Sequence, residues 1–382
     1  MLPTSHNTQQ VKRINVELVK NTLRSMEVDT KASIANLTKL SVATCGTILN
    51  ELLQTGEIID LGPDESSGGR PASRYQFNAD YASVLCLIIR TEGGVHSITH
   101  TYANLNEEMA DEQTLFLDEI NLTVVEDLIA NLIEQHHNVQ AIDIGIPGVA
   151  HNGVIGICDV PELMYQPLGP RLKEQYEDVE VVIGNDMNLT VYGLYNQQQF
   201  EEEKNFAVVT FPENHFPGAG FIIDGRPLTG NTQFGGEVAF LPFGVSREEQ
   251  LRMLKTAEGL QELVIKTLIS IIAIINPAAI VVTGDTMDPA MRDGLLQGCL
   301  DQLIPLEHMP ELIIQRDTRR EYVTGLVAVT LESLTYRIQV VEKQGREMKL
   351  KKLCWESSDY SKCLGVELLY PVCMMALSVH ME

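Results

Sequence analysis

The run Ile183-Gly184-Asn185-Asp186-Met187-Asn188 closes a strand-like apolar segment, Val179 to Ile183, with an amide and a carboxylate side by side. Alone, an Asn-Asp pair at a strand end is only a turn. Its surroundings say more. Further short apolar runs lie on both sides: Val84 to Ile89, Ala141 to Ile146, Phe206 to Phe211, Ala219 to Ile223 and Ala279 to Val282. They alternate with helix-patterned stretches, Leu122 to His136 and Gln250 to Ile275. Strands of that length separated by helices predict an α/β body from about residue 80 onward.

The chain has 382 residues, 44% hydrophobic and 21% charged, which fits two or three folded domains with substantial cores. No charged start followed by an apolar core and a cleavage site opens it, so no secretory signal is expected. The longest apolar run, Thr267 to Thr283, is interrupted by Asn276-Pro277 and is short for a bilayer. A cytoplasmic protein with no membrane partner is the expectation. The seven cysteines contain no Cys-x-x-Cys and are odd in number, which predicts reduced thiols and no paired-cysteine zinc site. No cofactor is expected.

A net charge of −24 argues at first against nucleic acid, whose binding rests on neutralising phosphates. The distribution reverses that. Residues 1–80 hold 8 Lys+Arg and 9 Asp+Glu, a net of −1, leaving 20 and 43, a net of −23, for the remainder. An acidic body repels DNA everywhere except where a locally basic surface faces it.

Within those eighty residues, Val11, Ile14, Leu18, Val19, Thr22 and Leu23 repeat at helical spacing, flanked by Lys12, Arg13, Lys20 and Arg24. A second, short helix is expected to start with Asp29 or Thr30 as its cap and to run through Ile34, Ala35 and Leu37. After Lys39-Leu40, Ser41 is a good N-cap for a helix from Val42 to Gln54, with Ile48, Leu49, Leu52 and Leu53 inward and Gly56 as its stop. Thr44, Gly46, Thr47 and Asn50 are left outward. Glu57 to Leu61 and Ser73 to Phe77 read as strands joined by the loop Pro63 to Pro71, which carries Arg70, with Arg74 near its base. That order is a winged helix-turn-helix with its capped helix placed for a major groove. The alternative is an ordinary helical subdomain with a hairpin. Candidate DNA contacts are Ser41, Thr44, Thr47, Asn50, Arg70 and Arg74, although short polar residues on a helix face are usually just solvated.

The body also carries, in order, Ile144-Gly145-Ile146-Pro147-Gly148, Asn152-Gly153-Val154-Ile155, the Asn185-Asp186 pair, Phe221-Ile222-Ile223-Asp224-Gly225, Gly235-Gly236-Glu237 and Asn276 to Gly284. This series resembles the ROK family of sugar kinases and sugar-responsive repressors, and Gly69-Arg70-Pro71-Ala72-Ser73-Arg74-Tyr75 resembles the wing of its repressor branch. The resemblance spans about residues 10–335. It implies a two-lobed actin-like, ribonuclease-H-like sugar-kinase fold, assembled as a homodimer or homotetramer. It also implies Asp186 at the position of the kinases' catalytic base, with Asn185 and Glu237 holding sugar hydroxyls, for which amides and carboxylates are apt partners. The domains expected are 1–80 for the DNA-binding head, 81–186 for a first lobe, 187–275 for a second, 276–340 for a return to the first, and 341–382 for an extension without functional assignment.

The departures from the family pattern bear on activity. The position of the kinases' first phosphate loop reads Leu87 to Gly94, with Arg90 and no aspartate. The second loop, glycine-rich in the family, reads Phe211 to Gly220 and includes Pro212, Glu213 and Pro217. Prolines remove backbone donors and a carboxylate repels phosphate. Phe240 stands where the family's zinc-binding histidine follows the Gly-Glu motif, so no metal is expected. Phosphoryl transfer depends on positioning and charge neutralisation, so such a site should lose most of its rate. The expected function is a transcriptional regulator of carbohydrate metabolism, a repressor by preference, whose partners are a double-stranded DNA operator and a sugar effector. The alternatives are a sugar kinase with a fused DNA-binding head and a regulator that has lost its ligand.

Overall fold

A computed structural model of the chain describes residues 8–63, 72–92, 94–136, 138–198, 204–212, 215–302 and 304–334. Residues Met1–Ser333 form one compact unit. The tail from 335, with its basic stretch and Cys354, Cys363 and Cys373, lies outside the described residues, as does Arg70.

Helix α1 (Thr8–Met26) contributes Val19 and Leu23 to a small core with Ile34 of α2 (Lys31–Thr38) and Cys45, Ile48, Leu49 and Leu52 of α3 (Val42–Thr55). Val11, Ile14 and Leu18, expected on the same inward face, are exposed, so the packed stripe is narrower than the apolar pattern. Of the two candidate caps for α2, Thr30 serves, its Oγ1 accepting from the Ser33 N–H at 3.4 Å. Lys39, left-handed at φ 60°, ends α2; Ser41 Oγ then accepts from the Thr44 N–H at 3.0 Å and starts α3. Gly56, at φ 85°, stops it by returning its N–H to the last carbonyls. A strand the periodicity did not announce, β1 (Val28–Thr30), pairs antiparallel with β3 (Ser73–Phe77), which also pairs with β2 (Ile58–Pro63).

The body begins with the meander β4 (Ser83–Glu92), β5 (Val95–Asn104) and β6 (Met109–Leu117). Helix α4 (Leu122–Gln135) leads to β7 (Val139–Ile146), the ribbon β8 (Gly148–His151) and β9 (Val154–Cys158), helix α5 (Leu168–Gln175) and β10 (Glu180–Asn185). The first sheet has the order β10-β7-β4-β5-β6, with parallel pairing along β10-β7-β4. Its strands β5 and β6 escaped the sequence reading because the buried positions include Thr99, His100 and Thr101, which break the apolar alternation.

Helix α6 (Asp186–Gln198) carries the chain to β11 (Phe206–Thr210), β12 (Gly218–Ile223) and β13 (Arg226–Pro227). Helices α7 (Arg247–Met253) and α8 (Ala257–Ile275), strand β14 (Ala279–Thr283), α9 (Arg292–Asp301) and β15 (Glu311–Gln315) complete a second sheet, β13-β12-β11-β14-β15. Two expectations are corrected here. The single helix Gln250 to Ile275 is two, because Thr256 Oγ1 accepts from the Gly259 N–H at 3.2 Å and caps a new start. The return to the first lobe does not begin at 276: β14 pairs parallel with β11 and β15 with β14, and only the helical residues 319–334 come back. Thr330 of that helix reaches Asp143 of β7 at 3.1 Å.

The two helices that link the sheets cross at glycines. A Cβ at Gly193 of α6 would lie 1.9 Å from the Glu321 carbonyl oxygen, and one at Gly325 would lie 1.9 Å from that of Leu189. Only hydrogen in place of a side chain permits this backbone contact.

Candidate functional site

The end of β10 presents Asn185 and Asp186 to the region between the sheets, but they do different work. Asn185 Oδ1 accepts from the Asn188 N–H at 3.0 Å and its Nδ2 donates to the Gly148 carbonyl at 2.9 Å. It caps α6 and braces the ribbon, leaving one lone pair and one N–H for a ligand. Asp186, at the first position of α6, accepts from the Met187 N–H at 2.8 Å. A helix N-terminus favours its ionised form. Desolvation outweighs that and, with repulsion from Asp159 and Glu237, pushes the carboxyl up to about 7 against the pull of the Met187 N–H and Arg90. Near neutrality Asp186 can therefore both donate and accept.

Glu237 follows Gly236, whose φ of 103° and approach to Ala219 press the loop onto β12. Burial raises the proton affinity of Glu237, and Asp159 adds to the effect while Arg247 opposes it. Asp159, at the end of β9, stands 3.5 Å from His215 Nδ1 in the β11–β12 connection. Next to His215, Phe216 receives the Arg247 guanidinium 3.6 Å above its ring, and the same guanidinium lies 4.4 Å from the ring centre of Phe240. Phe234 packs on Phe240 at 5.3 Å between centroids. The site is thus three carboxylates, two arginines and a histidine, edged by aromatic rings.

Sequence reasoning placed Asn185, Asp186 and Glu237, and the structure brings Asp186 and Glu237 within range of each other's charge. It did not find Asp159, His215, Arg247 or Tyr322 as site residues. They come from four separate segments with no local signature. Tyr322, 2% exposed, arrives on the helix over 319–334, and its hydroxyl reaches the backbone only because residue 145 is glycine: a Cβ there would lie 2.1 Å away. Arg90, on β4 within the stretch Leu87 to Gly94, lies 5.6 Å over the Tyr322 ring. In the second loop Glu213 lies outside the described residues.

Among the described residues no group of three or more His, Cys, Asp and Glu could hold a metal ion, and no helix is long and apolar enough to cross a membrane. A separate depression lined by Asp80, Tyr102, Asn104, Asp111 and His136 shares no residue with the Asp186 cluster.

On α3, the Ser41 and Thr44 hydroxyls bond each other at 2.8 Å and Thr47 Oγ1 donates to the Ala43 carbonyl at 3.2 Å. Asn50 and Thr47 are exposed, while Thr44 is half-buried. Lys31 runs across Gly46, its Cδ 3.4 Å from where a Cβ would be, so a cation lies over the outer face of α3. Arg74 is half-buried on β3 opposite Thr30.

The mixed α/β body thus carries an Asn-Asp pair and a Gly-Gly-Glu loop beside a cluster of polar and charged groups. Residues 88–249 match the model of the ROK family. The chain is 25% identical over 248 residues to the xylose repressor of Caldicellulosiruptor bescii, covering 61% of this chain and 59% of that one. With the xylose repressor of Bacillus subtilis it shares 23% identity over 245 residues, 60% of this chain and 61% of the other. The chain thus spans about three-fifths of the length of these curated relatives. In fold it is similar to a ROK family transcriptional regulator described as a homologue of the E. coli MLC protein, with a TM-score of 0.58 at 17% identity over 84% of this chain and 99% of that one. A ROK family glucokinase from Streptomyces griseus in complex with glucose and AMPPNP aligns with a TM-score of 0.50 at 15% identity over 66% of this chain and 100% of that one.

Proposed function

We propose that the chain is a sugar-responsive DNA-binding transcriptional repressor in which residues 8–77 form a winged helix-turn-helix and the ROK body binds an effector without phosphorylating it. One observation carries this reading: Arg90, a cation, acts on Asp186 from the stretch Leu87 to Gly94, which has no aspartate to hold the metal that phosphoryl transfer needs. The His215–Asp159 and Phe216–Arg247 contacts add to it, since they engage the second phosphate loop with the sugar-side residues. The names of the repressor relatives agree, and xylose is the first effector to test.

In this reading Asp186 and Glu237 accept and donate to sugar hydroxyls, Asn185 offers its remaining N–H, and Asn50, Thr47 and Thr44 face base edges while Lys31, Arg70 and Arg74 meet phosphates. Two heads on a dimer need half-sites about one helical turn apart, so a change in lobe angle on sugar binding would spoil simultaneous docking. Selection of bound fragments from the source genome, followed by fluorescence anisotropy with and without sugar, tests it. Saturable binding that a sugar weakens is expected, with Asn50→Ala losing sequence preference and Lys31→Ala losing affinity uniformly. Binding that no sugar alters, or none above the non-specific level, contradicts it. A sugar kinase is the second reading, favoured by Asp186, whose proton affinity near neutrality suits a general base.

A further inference from the structure

Phe234 and Phe240 are 42% and 52% exposed, unusual for large aromatic rings at a polar site. They are nevertheless held in place. Arg247 lies against Phe240 on one side and Phe216 on the other, and its Nη1 donates to the Ala239 carbonyl at 3.3 Å. Phe234 packs on Phe240 with the rings tilted by 54°, and Gly236, at φ 103° against Ala219, lies in the loop that carries both. Phe234 and Phe240 stand three residues before and after Glu237, and the Arg247 charge acts on the Glu237 carboxyl. The assembly is therefore a continuation of the candidate sugar site.

We propose that this arginine–phenylalanine stack is a second-ring subsite, so that the effector is a disaccharide or other glycoside carrying a pyranosyl unit beyond the ring held by Asp186 and Glu237. The inference rests on the sugar-binding reading above and names its ligand class. A pyranose offers an apolar face of C–H groups and an equatorial rim of hydroxyls. The exposed faces of Phe234 and Phe240 match the first by the same dispersion and quadrupole attraction that governs aromatic packing. An arginine stacked between rings keeps its N–H groups in plane, where they meet hydroxyl oxygens, and Glu237 and Asp159 supply acceptors beside it. A monosaccharide seated on Asp186 leaves these rings in water; a linked second ring covers them.

The test is calorimetry on the full chain with glucose, xylose, galactose and N-acetylglucosamine against cellobiose, maltose, xylobiose, lactose and chitobiose. Where a monosaccharide binds, a disaccharide containing it should bind about tenfold tighter, the upper part of what one stacked ring contributes. Phe240→Ala and Phe234→Ala should each remove most of that gain and leave the monosaccharide affinity within about twofold, whereas Phe240→Trp should keep it. Both rings are exposed, and unchanged melting curves verify that the variants fold. Monosaccharides binding as tightly as their disaccharides, or a disaccharide gain untouched by Phe240→Ala, overturns the subsite and leaves the sugar-binding reading standing. Failure of every sugar, single or double, to bind removes that reading and the subsite with it.

Discussion

Asp143 gives the sharpest physical prediction. It lies wholly buried on β7, with one carboxyl oxygen 3.1 Å from Thr330 Oγ1 and the other without a hydrogen-bond partner. Thr330 has one hydroxyl hydrogen and sits 2.6 Å from the Leu326 carbonyl. That one hydrogen has both the Leu326 carbonyl and the Asp143 carboxyl as acceptors, so the carboxyl receives at most a shared donor. Burial pushes the group up to about 8, well above its value of 3.8 in an unfolded chain, although Thr330 and the Ile144 N–H pull the other way. The folded state therefore holds a proton that the unfolded chain releases. This contribution is fully present below about pH 4 and is lost progressively as pH rises through about 8. At 1.36 kcal/mol per pH unit, the loss between pH 5 and pH 8 is at most about 4 kcal/mol. Asp143→Asn keeps the shape, can donate to Thr330 from its amide and never ionises. Its melting temperature should overtake that of the parent chain as pH rises, the gap growing by roughly 8 °C over that range at about 2 °C per kcal/mol. Parent and variant curves that run parallel from pH 5 to pH 8 would refute the argument, because Asp186 and Glu237 titrate equally in both.

Gly325→Ala places a methyl 1.9 Å from the Leu189 carbonyl oxygen at the helix crossing. It should cost at least about 3 kcal/mol in denaturant midpoint or prevent folding, whereas Gly62→Ala, with nothing within 4 Å of its Cβ but φ at 77°, should cost about 1 kcal/mol. Ser41→Ala removes the hydroxyl that accepts from Thr44 and should lower stability by about 1 kcal/mol in urea titration, with Ser41→Asp retaining it. An unchanged midpoint for Ser41→Ala would show that the cap contributes nothing.

The elements legible in the sequence were those whose signals are local. Ser41 and Gly56 announce the two ends of α3 because a cap hydroxyl and a left-handed glycine are chemical requirements of a helix terminus. The buried runs of β7, β11 and β14 are apolar because these strands are covered on both faces. What was missed depends on distant partners. The His and Thr residues of β5 look like loop residues until β4 and β6 flank them. The membership of β14 and β15 in the second sheet is a matter of pairing and leaves no trace in either strand. At the site, the Asn185-Asp186 pair was readable as a motif, yet the capping role of Asn185 was not, because its second partner, Gly148, lies far away in the chain. Arg90 lay in a stretch noted only for lacking an aspartate, and its position against Tyr322 required the returning helix.

The central proposal is that a first loop without an aspartate for the metal and an engaged second loop leave a cleft that takes a sugar and does not transfer a nucleotide's phosphate. The direct measurement is a coupled ADP-release assay on the full chain with magnesium, ATP and the sugar panel, run beside thermal shifts by sugar and by Mg-ATP separately. The account predicts a rise in melting temperature with at least one sugar, none with Mg-ATP, and no ADP above the rate of the Asp186→Asn variant. Sugar-dependent ADP release that Asp186→Asn abolishes would contradict it.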